Sequence, residues 1–194
     1  MKSKKPLLVA GIIVVVIAIY LGTSYNSLVS KEENLKKTWA DVQATYQRRL
    51  DLVPSLVNIV KGVSDFESST LEAIAAARSR AASGQAGASL DGENYKGQSV
   101  AQDSLAAAAN RVILLVERYP VLKGTAAYSG LQTQLEGTER RIKVARTDFN
   151  KAVAEYNNAV RAFPGSIAAG IFGFKAQEGF AADKGAENPV EIKF

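Results

Sequence analysis

Between Leu28 and Val60 the apolar residues Leu28, Leu35, Trp39, Val42, Tyr46, Leu50, Val53, Val57 and Val60 recur in steps of three, four or seven. That is the spacing of one helix face. No glycine interrupts the run before Gly62, so the pattern predicts a stalk-like helix of about 50 Å, continuous with the segment before it. Pro54 lies inside; it cannot donate to the Leu50 carbonyl, which predicts a static bend around the core rather than a hinge. A second predicted helix starts after Gly62, capped by Ser64 or Asp65, with Glu67 near its positive end. Its stripe is Phe66, Thr70, Ile74, Ala77 and Ala81. Residues 82–98, with Gly84, Gly87, Gly92 and Gly97, predict a connecting loop. A third helix is expected over 99–118, with Leu105, Ala109, Val112, Leu115 and Val116 inward, stopped by Tyr119-Pro120. The fourth begins between Thr125 and Ser129 and runs to Phe163-Pro164. Its stripe, Leu131, Leu135, Thr138, Ile142, Ala145, Phe149, Val153, Tyr156, Val160 and Phe163, ends in aromatics seven residues apart. Antiparallel bundles bury such a repeat.

Polar residues beside these stripes leave two readings each. Asn150 and Asn157 follow two of the aromatics directly. They either hydrogen-bond across the bundle and fix its register or present a polar pair to a partner. Gln47, Arg48, Arg49 and Asp51 read as a solvated face with local ion pairs, the alternative being a docking surface.

The N-terminal pattern differs in kind. Pro6 to Gly22 carries no charge and, extended to residue 24, predicts a membrane-spanning helix over 6–24. A cleaved signal peptide shares the basic start and apolar core, but this run is longer than a usual signal core and no A-x-A-like site follows. Lys2, Lys4 and Lys5 precede it, whereas Lys31, Glu32 and Glu33 follow. The positive-inside rule therefore places residues 1–5 in the cytoplasm and the remainder outside it.

Charge and composition then narrow the chemistry. The net charge of +5 is concentrated at the start: without Lys2, Lys4 and Lys5, 24 − 3 = 21 basic residues face 19 acidic ones. A folded part so nearly neutral does not suit nucleic acid. The chain has no cysteine and no histidine, which excludes thiol nucleophiles, disulfides, Cys/His zinc sites and imidazole triads. The close acid pairs, Glu32/Glu33 and Glu136/Glu139, lie beside lysines and arginines as solvated neighbours on a helix surface do. No catalytic, cofactor or metal site is expected.

Beyond Pro164, GSIAAGIFGF is apolar but too short to span a bilayer. Its Ile167, Ile171, Phe172 and Phe174 can cap the bundle, enter a membrane surface or meet another subunit; with only Lys175 as a cationic neighbour, self-association is favoured. Val190, Ile192 and Phe194 alternate like a short half-buried strand, whose partner would be the same segment of a neighbouring subunit.

Taken in order, YNSLV (25–29), Trp39, QRRLDLVPSLVNIVKG (47–62), ERYPVLK (117–123), LQTQLEGTERRIKVAR (131–146), FNKAVAEYNNAVRAFP (149–164) and IFGFK (171–175) closely resemble the LemA family. The resemblance covers nearly the whole chain. It implies an all-α protein: an N-terminal transmembrane helix, then an antiparallel four-helix-bundle-like domain with long helices over 25–164, then the apolar segment and extended tail of 165–194. It implies no active site. Phe66 departs from the family, in which many relatives have His there; the position reads as packing. The expected function is a non-enzymatic membrane-anchored scaffold, homo-oligomeric and with an envelope protein as partner. The alternatives are a lipid-interacting module acting through residues 166–174 or an envelope enzyme.

Overall fold

Pro54 does not stop the first helix. In the computed structural model, which describes residues 5–61, 68–85 and 92–180, α1 runs unbroken from Lys5 to Lys61, about 85 Å at the helical rise. The Leu50 carbonyl that Pro54 cannot serve accepts instead from Arg78 Nε at 3.2 Å. A neighbouring helix thereby restores the bond that proline removes, and the helix continues.

The other elements are α2 (Ser68–Gln85), α3 (Gly92–Val116), the single turn α4 (Pro120–Lys123), α5 (Ala126–Arg161) and α6 (Gly165–Phe172). There is no strand among the described residues. α1 rises from its apolar start and α5 returns beside it: Arg48 meets Gln134 at 3.0 Å and Tyr46 meets Arg146 at 2.8 Å. The α2–α3 hairpin completes the four-helix bundle at the end away from the apolar span. Starts and stops follow local chemistry. Pro120 opens α4, where its missing N–H costs nothing. The Thr125 side chain caps α5 by accepting from the Tyr128 N–H at 3.3 Å.

The interior falls into two clusters. The upper core joins Leu50 to Val60 of α1, Ile74, Ala77 and Ala81 of α2, Leu105 to Val116 of α3, Leu122, and Tyr128 to Leu135 of α5. The lower core joins Leu28 to Tyr46 of α1 and Ile142 to Val160 of α5 with Tyr95, Ala168 and Ala169. The inward stripes of the long helices match the sequence pattern, with Val57 at the margin of the upper core and Leu115 half-buried without joining it.

Three details differ from the pattern. The expected loop 82–98 is helical up to Gln85 and again from Gly92, with Tyr95, Gln98 and Gln102 buried. Two glycines and two glutamines hide a regular series, 95-98-102-105-109-112-116, that only its spacing reveals. Phe163 is 83% exposed, because α5 ends at Arg161 and the third aromatic falls outside the helical register that buries Phe149 and Tyr156. Arg49 is only 2% exposed, not part of a solvated face. Gln47 and Asp51 do pair locally, at 2.7 Å. The proposed caps Ser64 and Asp65, the core position Phe66, and the strand residues Val190, Ile192 and Phe194 lie outside the described residues.

Candidate interaction site: a tail clamped along the last long helix

α2 has 18 residues and α5 has 36. At 1.5 Å per residue the hairpin therefore covers only part of the α1–α5 pair, and the lower core needs another cover. Residues 165–180 supply it. Ala168 and Ala169 seat α6 on α1 and α5. Gly173 then turns the chain with φ 78°, a left-handed value that favours glycine, and residues 174–180 run extended along α5.

Asn150 and Asn157 hold that tail. The Asn157 amide donates to the Gln177 carbonyl at 2.7 Å and accepts from the Gln177 N–H at 2.8 Å. Asn150 does the same for Phe180, donating at 3.0 Å and accepting at 2.7 Å. Each side chain thus satisfies both polar groups of one residue, as a neighbouring strand would. The spacing explains the fit: seven helical residues rise about 10.5 Å, and three extended residues reach about 10 Å. The segment runs antiparallel to α5. Gly179 permits the approach, since a Cβ there would sit 2.7 Å from Asn150 Oδ1.

Side chains add to the grip. The Phe180 ring lies 5.4 Å from Phe149, 5.8 Å from Tyr95 and 6.1 Å from Trp39 between centroids. The Arg146 guanidinium lies 5.3 Å from its centroid, a cation–π distance. The Tyr95 hydroxyl donates to the Glu178 carbonyl, and Lys96 pairs with the Glu178 carboxylate. In α5 the aromatic of each Phe-Asn or Tyr-Asn step enters the core while the asparagine reaches the tail. The two residues therefore serve neither of the uses expected of them: they neither cross the bundle nor stand open to a partner.

Polar groups separate the two cores. The buried Arg49 guanidinium donates to the Gln102 carbonyl at 2.8 Å and pairs with Glu139, which is 44% exposed at its side chain. Arg146 bridges the Tyr46 hydroxyl at 2.8 Å and Asp103 at 2.7 Å. Burial pushes the Tyr46 hydroxyl above the ordinary tyrosine range, against the pull of Arg146. Arg49 Nε and the Gln98 and Gln102 amide nitrogens are buried without an acceptor among the described residues. Each such donor costs about 1–3 kcal/mol, so this layer opposes the packing on either side. A cleft of about 560 Å³ opens here between Arg49, Glu139, Arg146, Asn150 and Phe180. Its acids, Asp103 and Glu139, are each tied to an arginine rather than facing one another across a gap. Of the acid pairs named from sequence, Glu32 and Glu33 share Lys36, and Glu136 accepts from Gln132 at 3.1 Å.

The remaining candidates gather where α6 meets α1. Ile167, Ile171 and Phe172 are exposed, while Phe174 is half-buried against the lower core. Phe172 and Phe174 lie 4.8 and 5.9 Å from the Tyr25 ring.

These features define a class: an all-helical bundle carried on one apolar helix long enough to cross a membrane, with its lower half closed by its own C-terminal segment. The LemA family model matches residues 38–194, and the chain belongs to that family. It is similar to magnetosome proteins MamQ 1 and MamQ 2 of Paramagnetospirillum magneticum and to magnetosome protein MamQ of Magnetospirillum gryphiswaldense. Each is 25% identical over 184 residues, spanning 86% of this chain and 68% of the relative. Family and apolar helix together support a membrane-associated protein of the single-pass type.

Proposed function

We propose that the chain is a non-enzymatic scaffold of a bacterial inner membrane. Residues 1–5 lie in the cytoplasm, residues 6–24 span the bilayer, and the bundle stands outside as a homo-oligomer that holds another envelope protein near the membrane. The observation that carries this reading is the continuity of α1, one helix from the apolar span through both cores. Such a rod transmits the position of the membrane directly to the bundle, as an organiser requires. The MamQ relatives, named as magnetosome proteins, fit a role in arranging a membrane-bound structure. The three lysines before the span match an anchor flank, and the nearly neutral remainder argues against a nucleic-acid partner.

Purification of the intact protein in mild detergent tests the reading. The expected particle is larger than one 20.7 kDa chain after the detergent mass is subtracted, and crosslinking in cells ties the bundle to a second envelope protein. A clean monomer without crosslinked companions contradicts it. For orientation, a reporter active only outside the cytoplasm and fused after Phe194 is expected to work; activity confined to a cytoplasmic reporter reverses the topology.

A further inference from the structure

We propose that α6 lies on the same bilayer that α1 crosses, with Phe163, Ile167, Ile171 and Phe172 in contact with lipid at the interface. The inference rests on the reading of residues 6–24 as a membrane span and adds a second point of attachment to it.

Height along α1 is the first support. Nineteen residues, 6–24, rise about 28 Å, close to the ~30 Å hydrocarbon core. Leu21, inside that stretch, already packs against the lower core. The Tyr25 ring, at the end of it, touches Phe172 and Phe174, and Leu28, one turn on, shares a cluster with Ala168 and Ala169. The bundle thus begins before the apolar run ends, which brings α6 to the level where hydrocarbon gives way to headgroups. Tyrosine is a residue suited to that level.

Chemistry is the second support. The sequence of α6, GSIAAGIF, contains no charge. Ala168 and Ala169 face the bundle, while Ile167, Gly170 and Ile171 fall on the opposite face at helical spacing, all exposed. Phe172 and the preceding Phe163 extend this apolar surface. Large apolar side chains collected at one end of a molecule mark a contact surface. A short helix with such a face lies in the membrane interface rather than across it. The bilayer is the occupant these observations favour over a second copy, because the patch is continuous with the apolar surface of α1, which is exposed over most of its length below Tyr20. With no cation on α6 itself, contact relies on apolar area and not on anionic headgroups.

The chain contains no cysteine, so single substitutions can each carry one environment-sensitive fluorophore. Full-length Val14→Cys, Ile171→Cys and Val144→Cys variants, placed in the span, on α6 and on the outer face of α5, are reconstituted in phosphatidylcholine vesicles. Equal helical content by circular dichroism establishes that each is folded. The expected result is quenching at position 171 by lipids with a shallow spin label. Protection from aqueous iodide should exceed that at position 144 several-fold. Position 14 is quenched by deeply labelled lipid. A fluorophore at position 171 as open to iodide as that at 144, with position 14 still lipid-quenched, overturns the placement of α6 alone. Protection from iodide without lipid quenching, together with disulfide-linked dimers of unlabelled Ile171→Cys protein, assigns the face to a second copy and also overturns it. No lipid quenching at position 14 refutes the span itself.

Discussion

The two halves of the bundle solve the same problem with different materials. In the upper half four helices converge, and the core is aliphatic apart from Tyr128. In the lower half α2 and most of α3 are absent, and the interior carries Trp39, Tyr46, Tyr95, Phe149 and Tyr156. Larger side chains bury more area from fewer helices, and the backbone of residues 174–180 takes the place of a missing helix. An extended strap cannot satisfy its own polar groups as a helix does. That is why the lower half needs asparagines on α5 and the upper half does not. The difference teaches that a helical repeat can specify a core without specifying what closes it.

The largest effect that separates the halves is expected inside the lower core. Phe149→Ala should cost about 3–5 kcal/mol in denaturant unfolding of the detergent-solubilised protein, whereas Phe163→Ala, fourteen residues on in the same repeat, should stay within about 0.5 kcal/mol. Equal losses would mean that both rings are packed and that α5 continues past Arg161.

That contrast also marks what could be read from the chain in advance. Spacing alone located the stripes of α1, α2 and α5, because burial on a helix leaves a period in the sequence. Phe163 continues the period and so reads as core, although Pro164 directly after it disfavours helix at that position; the period alone does not show that the helix ends at Arg161. Arg49 reads as solvated because charge normally lies in water, yet its burial is offset by the Gln102 carbonyl and Glu139, contacts 53 and 90 residues away. Tyr95 reads as loop because glycines surround it. The pairing of Asn150 and Asn157 with Phe180 and Gln177 depends on how the chain folds back after Gly173, and a side-chain amide reading a distant backbone leaves no periodic trace. The LemA resemblance identified the family and the fold class but carried no information about that closure.

At the layer between the halves, Glu139→Gln leaves the Arg49 guanidinium buried without its counter-charge. With Glu139 partly solvated, the expected loss is roughly 1–3 kcal/mol, and adding Arg49→Met should recover part of it by removing the stranded charge. If the single variant is as stable as the parent protein, the pair does not hold the layer.

Smaller changes address the closure itself. Gly179→Ala puts a methyl group against Asn150 and should open the tail at a cost of about 1–2 kcal/mol, the worth of one or two hydrogen bonds. Limited proteolysis should then cut between Phe174 and Phe180 faster, with the upper core unaffected; an unchanged cleavage pattern would show that the tail does not pass this close to α5.

Alkaline pH should weaken the lower half first. Burial raises the Tyr46 and Tyr156 hydroxyls above their ordinary value, with Glu32 adding to the shift of Tyr156; burial and then Glu117 do the same for Tyr128 in the upper half. Below about pH 10 both folded and unfolded tyrosines keep their protons, so these groups impose no pH dependence. As pH rises past that value the unfolded chain releases protons that the folded one retains, and stability falls. Urea midpoints measured across that range should decline, with indole fluorescence from Trp39 moving before the helical signal as a whole. A midpoint that rises with alkaline pH would contradict the burial of these hydroxyls.

The claim that the lower half is closed by its own C-terminal segment is tested most directly by amide hydrogen exchange of the intact protein at Gln177 and Phe180. Both N–H groups are expected to be protected. Replacing Asn150 and Asn157 with Ala should release them while Val112 and Leu105 of the upper core keep their protection. Free exchange at Gln177 and Phe180 in the unaltered protein would contradict the account.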